Sequence, residues 1–137
     1  IATGNFGTRY MRRLWIVARR RASGRGAPEP TKFAVLVDAE NARPASLASI
    51  MAEIATFGET SIRRCYGDFT KQQLAPWKDV ALALSFKRVN ADCYSKGKNS
   101  SDSQMIIEAM DFLYTAPALG GFCLVSSDAD FTGLAQR

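Results

Sequence analysis

The 137-residue sequence is 47% apolar and 23% charged, and it contains no histidine. This length suits one domain, and this composition is typical of a globular protein with a packed core. The lack of histidine excludes Ser-His and Cys-His catalysis and histidine-ligated zinc. Any catalysis must therefore use carboxylates, hydroxyls, lysines or bound metal ions.

The sequence predicts neither a membrane helix nor a disulfide framework. The longest apolar run near the N-terminus spans residues 14–18, whereas a membrane helix needs about 18 residues or more. The three cysteines, Cys65, Cys93 and Cys123, are far apart and lie in apolar or strand-like runs. This pattern predicts buried free thiols and a reducing, cytoplasmic location.

The net charge of +5 comes from the N-terminal end. Residues 1–28 contain seven arginines and no acidic residue, so the remainder carries 11 basic and 13 acidic side chains. Residues 22–30 are rich in glycine and proline, as in a linker. We therefore predict a basic, arginine-rich arm and linker over residues 1–31 and a globular domain over residues 32–137. The arm is interpreted either as a leader, such as a mitochondrial presequence, or as a segment that binds nucleic acid or anionic lipid.

Strands and helices are predicted to alternate through the domain. Short apolar or β-branched runs predict strands at 33–37, 62–66, 86–94 and 122–125. Apolar residues at helical spacing predict helices at 44–57, 72–84 and 101–114. The alternation predicts a doubly wound parallel sheet with helices on both faces. A further helix is predicted from residue 131, and we expect the domain to be incomplete at its C-terminal end.

Four aspartates are predicted to meet at one edge of this sheet, because they follow strands or begin a helix: Asp38, Asp102, Asp128 and Asp130. In open parallel sheets, ligands bind beyond the carboxyl ends of the strands. Crowded carboxylates need a cation to neutralise them, and ligation by oxygen alone suits Mg²⁺ or Mn²⁺. Such a site supports phosphodiester hydrolysis. Each aspartate alone also has a structural interpretation as a cap or turn residue.

Other polar residues near this edge are candidates for substrate binding. Asn41 is interpreted as a group that orients water or phosphate, or as a turn residue. Lys98 and Asn99 precede the third helix, where they would hold a phosphate, or are solvated loop residues. Asp68 is interpreted as a turn residue beside Gly67.

Four short motifs occur in order along the domain. They are Asp38-Ala39-Glu40-Asn41, Tyr66-Gly67-Asp68, Gly97-Lys98-Asn99-Ser100-Ser101-Asp102 and Ser126-Ser127-Asp128-Ala129-Asp130-Phe131. Together they resemble the signatures of NYN domains, which belong to the PIN-like ribonuclease superfamily, and they are most similar to the LabA-like group. The resemblance covers about residues 32–137.

This resemblance implies both a fold and a reaction. The implied fold is a PIN-like three-layer α/β/α domain with strand order 3-2-1-4-5, and the fifth strand is expected to be missing from this chain. The implied reaction is RNA cleavage with Mg²⁺ or Mn²⁺ as cofactor. The metal ligands would be Asp38, Asp102, Asp128 and Asp130, while Asn41 and Ser126 would support substrate or ligands.

Three other functions compete with the ribonuclease interpretation. A non-catalytic module that binds RNA or protein through the same cleft stays open. A Toprim site would need a glutamate followed by glycine after an early strand, but Glu40 is followed by Asn41. A haloacid-dehalogenase phosphatase would need Asp-x-Asp after the first strand, and position 40 is glutamate. RNA is the expected partner, and the sequence leaves a homo-oligomer or a protein partner open.

Overall fold

A computed structural model of the chain describes residues 3–5, 14–18, 32–90, 100–116 and 119–126. Within them, six strands form one sheet: β1 (Thr3–Asn5), β2 (Leu14–Ala18), β3 (Lys32–Asp38), β4 (Glu59–Gly67), β5 (Lys87–Asn90) and β6 (Gly121–Val125). The helices of the same part are α1 (Leu47–Ile54), α2 (Trp77–Ala83) and α3 (Ser100–Thr115), with short 3-10 helices at Pro44–Ser46 and Gln72–Leu74. None of these helices is long and apolar enough to cross a bilayer.

Four neighbouring strands of the sheet are parallel, in the order β6-β3-β4-β5. In the predicted domain, β3, β4, β5 and β6 are strands 1, 2, 3 and 4. Read from β5 to β6, the observed order is therefore 3-2-1-4, and the predicted PIN-like topology is confirmed for these strands. The register places Asp38 opposite Tyr66 and Val37 opposite Val125. Because the strands are parallel, their carboxyl ends lie at one edge of the sheet.

Helices cover both faces of the sheet, which gives three layers. Every residue of β3 from Phe33 to Asp38 is buried, as expected for a central parallel strand. Alternate side chains of the strand enter two separate cores. One core contains residues of α1 and α2 together with Phe33, Val35 and Val37. The other contains α3 residues, Ala34 and Leu36.

The observed elements differ from the predicted ones mainly at their ends. The first predicted helix begins as the 3-10 turn Pro44–Ser46 and continues as α1. On α3, Ala109 is buried, whereas Met110 is 36% exposed. Residues 91–99 and the helix predicted from residue 131 lie outside the described residues.

Two strands lie in the segment that was predicted as arm and linker. β2 pairs antiparallel with β6, from Leu14 opposite Val125 to Ala18 opposite Gly121, and β1 pairs with β2. β2 therefore lies on the side of β6 where the predicted fifth strand would lie. The sequence of β2 is rich in aromatic and β-branched residues, which favour strands. The edge of β6 offers backbone groups with which such a run can pair.

Candidate functional site

The last residue of β3 is a buried carboxylate. Asp38 is only 1% exposed, although it lies at the edge where the parallel strands end. A buried carboxylate is unfavourable unless hydrogen bonds or a cation compensate for its lost hydration. Its surroundings therefore indicate what holds it there.

The turn after β3 supplies two of these compensating groups. The side-chain amide of Asn41 donates a hydrogen bond of 2.8 Å to Asp38 Oδ2, and the backbone N–H of Glu40 donates one of 3.2 Å to Asp38 Oδ1. The backbone N–H of Asn41 also donates to the Asp38 carbonyl at 3.3 Å. Asn41 is therefore a turn residue that also orients the Asp38 carboxylate, while its predicted contact with water or phosphate stays a prediction.

The end of β6 supplies a third donor. Ser126 is completely buried, and its hydroxyl donates a hydrogen bond of 2.9 Å to Asp38 Oδ2. It follows directly after β6, which pairs with β3. The structure thus brings together three of the predicted site residues, Asp38, Asn41 and Ser126. Ser126 contacts the proposed ligand Asp38 itself.

The remaining predicted residues are only partly placed. The backbone of Asp102 lies in the first turn of α3, but its side chain is outside the described part of the chain. Lys98, Asn99, Asp128 and Asp130 also lie outside the described residues. Among the residues that are described, no three histidine, cysteine or acidic side chains are grouped to hold a metal ion. The predicted four-aspartate cluster stays a prediction.

A second polar contact joins the turns after β3 and β4. Glu40 Oε1 accepts a hydrogen bond of 3.0 Å from the backbone N–H of Asp68 and lies 3.5 Å from Lys71 Nζ. Asp68 itself accepts hydrogen bonds from the hydroxyl and the backbone N–H of Thr70, which lower the pKa of its carboxyl group. These contacts agree with the interpretation of Asp68 as a turn residue. Sequence analysis did not predict the link through Glu40.

Gly67 allows these two turns to lie close together. A Cβ atom at this position would lie 2.9 Å from Leu74 Cδ1 and 3.4 Å from Ala39 Cβ. Both neighbours are buried, so neither side chain can move away without disturbing the core. A side chain at the end of β4 would therefore displace the buried Leu74 side chain, so packing favours glycine there. This explains the central residue of the Tyr66-Gly67-Asp68 motif.

A polar cluster fixes α3, the helix that carries Asp102, on the sheet. Glu108 Oε2 accepts a hydrogen bond of 2.8 Å from Arg64 Nη1 and a second one from the Tyr66 hydroxyl. The Arg64 guanidinium also lies 4.9 Å from the centre of the Phe112 ring. Burial, together with the bond to Glu108, raises the pKa of Tyr66. Sequence analysis missed this cluster, because nothing in the local sequence pairs β4 with a helix more than 40 residues away.

The arrangement of sheet, helices and buried acid defines a PIN-like α/β domain with a polar site at the carboxyl edge. The comparison with protein families places the chain more narrowly. Residues 32–137 match the model of the NYN domain, and the chain belongs to this family, which is part of the PIN-like ribonuclease superfamily. The comparisons with curated proteins and with solved structures found no match. The more specific LabA-like assignment stays a prediction.

Proposed function

We propose that this protein is a metal-dependent ribonuclease, whose site lies where β3, β6 and the start of α3 meet. The observation that carries the proposal is the buried Asp38 carboxylate, which accepts hydrogen bonds from both Asn41 and Ser126. A fold alone does not define a reaction. Membership of a nuclease-like family and a buried, oriented acid at the expected edge together support this one.

The donor set suits a hard divalent cation. Carboxylate oxygens are the ligands that Mg²⁺ and Mn²⁺ prefer, and Asp38 presents one whose orientation is fixed by hydrogen bonds. Asp38, Asp102, Asp128 and Asp130 would hold the ion. When bound, such an ion activates water and stabilises the leaving oxygen of a phosphodiester.

The other residues of the proposed site hold the metal ligand or the substrate in position and take no part in the reaction. Asn41 and Ser126 hold the Asp38 carboxylate in one orientation, so that it does not have to reorganise when a ligand binds. Lys98 and Asn99 would contact the RNA phosphates. The Glu108 cluster holds α3, and thereby the backbone of Asp102, against β4.

A matched pair of substitutions tests the reaction. Asp128→Asn keeps size but removes one negative charge from the proposed metal site, so RNA cleavage with Mg²⁺ or Mn²⁺ should fall by orders of magnitude. Asp111→Asn makes the same chemical change at an exposed position of α3, away from this edge, and should keep wild-type activity. Equal activity of the two variants would refute the proposed role of Asp128.

A non-catalytic RNA- or protein-binding module is the second candidate function. Such a module would shift the mobility of RNA in the presence of Mn²⁺ and leave the RNA intact. The same cleavage assay therefore separates the two functions.

A further inference from the structure

A cleft lies at the carboxyl ends of β4 and β5. Its volume is about 350 Å³, and it is lined by Phe69, Thr70, Arg88 and Asn90. Strand register pairs Asn90 with Gly67, the neighbour of Tyr66, which itself pairs with Asp38. The cleft is therefore two strands away from Asp38, about 10 Å across the sheet. Asp38 and the cleft therefore lie at the same edge of the sheet.

The lining combines a flat aromatic surface with a positive charge. The Arg88 guanidinium carbon lies 5.6 Å from the centre of the Phe69 ring, within the range of a cation–π contact. Among the residues described, Arg88 forms no ion pair with a carboxylate. Within this part of the chain, no carboxylate competes with a phosphate for its charge.

Polar groups fix this surface in place. Asn90 Oδ1 accepts a hydrogen bond of 3.2 Å from the backbone N–H of Phe69. Thr70 is held by two hydrogen bonds to Asp68, through its hydroxyl and its backbone N–H. The Asn90 amide and the backbone of Phe69 and Thr70 are thus held in place before any ligand binds, which reduces the entropy lost on binding.

We propose that this cleft binds one unpaired nucleotide of a single-stranded RNA, beside the cleavage site. Proteins bind single strands by stacking bases on aromatic or guanidinium planes and by pairing phosphates with arginine. Phe69 and Arg88 provide the stacking surface, Arg88 pairs with a phosphate, and Asn90 hydrogen-bonds the nucleotide. The choice of RNA rests on the proposed function. The cleft itself rests on described residues outside the proposed metal site.

The test measures binding without cleavage. The full chain is titrated onto a fluorescein-labelled single-stranded oligoribonucleotide in EDTA, at several salt concentrations, and anisotropy is followed. Arg88→Gln should weaken binding about fivefold or more and reduce the slope of log K against log salt by about 0.7, the value expected for one lost phosphate contact. Arg88→Lys should keep the slope but bind more weakly than wild type, because lysine cannot stack.

Two further variants separate the physical causes. Phe69→Leu should weaken binding and leave the salt slope unchanged, and it should not affect a fully base-paired duplex, whose bases are not free to stack. Lys78→Gln removes one charge from an exposed position on α2, outside the cleft, and should behave as wild type. Urea unfolding midpoints verify that each variant is folded. Because Arg88 is exposed, substitutions there should leave the protein folded, and they still test the proposal if Phe69→Leu is unstable.

The outcomes distinguish this proposal from the nuclease proposal. If Arg88→Gln and Lys78→Gln have equal affinity and slope, or if the wild type does not bind the oligonucleotide, the subsite is refuted. If the variants behave as expected but the wild type leaves RNA intact with Mg²⁺ and Mn²⁺, the nuclease proposal fails and the subsite stands.

Discussion

The Ser126 hydroxyl donates a hydrogen bond of 2.9 Å to Asp38 Oδ2, although 88 residues separate the two in sequence. Both side chains are buried, and they lie at the ends of the neighbouring parallel strands β6 and β3. Among the described parallel strands, β3 comes first and β6 last in the chain, and this bond joins their carboxyl ends. It also sets the orientation of the acid on which the proposed site depends.

The substitution Ser126→Ala tests this relationship. A buried hydrogen bond to a charged group contributes about 1.5–3 kcal/mol, so the variant should unfold at lower urea concentration. RNA cleavage should fall about tenfold or more, because groups that orient a metal ligand have effects of this size. Ser61→Ala is the control, since it removes an exposed hydroxyl whose hydrogen bond is long, 3.5 Å. Identical stability and activity in the two variants would contradict the role of Ser126.

The attachment of α3 gives a second prediction. Tyr66→Phe removes one of the two donors to Glu108 and should destabilise the protein by about 0.5–1.5 kcal/mol. Glu108→Gln removes the charge that both Arg64 and Tyr66 contact, and should destabilise it further. Asp111→Asn, on the exposed side of the same helix, should have an unfolding midpoint like that of wild type. Equal midpoints for Glu108→Gln and Asp111→Asn would show that the cluster contributes nothing to stability.

The buried thiols give a prediction about reactivity and pH. Burial raises the pKa of both Cys65 and Cys123 to about 12, from about 9. Because the thiolate is the reactive form, iodoacetamide at about pH 8 should leave both residues unlabelled in the native protein and label them in guanidinium chloride. Peptide mass mapping reports each site. Labelling of Cys65 or Cys123 in the native state at the rate of a small thiol would contradict their burial.

The same pKa shifts determine how the free energy of unfolding changes with pH. Unfolded thiols ionise from about pH 9, whereas the folded ones stay protonated until about pH 12. The contribution of the two thiols to the free energy of unfolding is therefore fully present below pH 9 and is lost as the pH rises from 9 to 12. Replacing Cys123 by alanine should make the alkaline decline in unfolding free energy less steep.

Sequence patterns predicted the central sheet well because its strands are nearly continuous apolar runs that end in polar residues. β3 with Asp38 is the clearest example, since burial on both faces leaves few alternatives for a run such as 33–37. The resemblance to NYN domains implied a supporting role for Ser126, and the parallel pairing of β6 with β3 brings its hydroxyl to Asp38. Sequence patterns did not predict the Glu108 cluster, because it depends on how α3 packs against β4.

The N-terminal strand β2 shows a different limit. Its five apolar residues are flanked by arginines, and charge dominated the interpretation of the segment. Whether such a short run forms a strand depends on a partner edge, here that of β6, more than 100 residues later. Local propensity alone does not identify that partner.

The end of α2 provides a prediction about stability that is independent of function. Ser85 has a φ of 59°, in the left-handed region. Its N–H donates to Leu82 and that of Phe86 donates to Ala81, which is the Schellman arrangement of a helix end. Ser85→Gly should raise the free energy of unfolding by about 0.5–1 kcal/mol, because glycine adopts this conformation without a Cβ clash. Ser85→Ala keeps the clash and should show no such gain in urea unfolding.

Metal binding to the native fold supplies the last prediction. An ion that binds the folded but not the unfolded chain raises stability by about 2.7 kcal/mol at a concentration 100 times its Kd. For a chain of this size, that amounts to a rise in Tm of roughly 5–15 °C. We expect Mn²⁺ or Mg²⁺ to produce such a rise in differential scanning fluorimetry, and EDTA to reverse it.

Substitution at the proposed ligands shows whether this rise comes from the site. Asp128→Asn should reduce the Mn²⁺-dependent shift, because one ligand charge is lost, while Asp111→Asn should keep it in full. A shift that is the same in wild type, Asp128→Asn and Asp111→Asn would mean that the ion binds elsewhere on the protein. Absence of any shift with either ion would count directly against a metal site at the carboxyl edge, since an ion that binds only the folded chain must stabilise it.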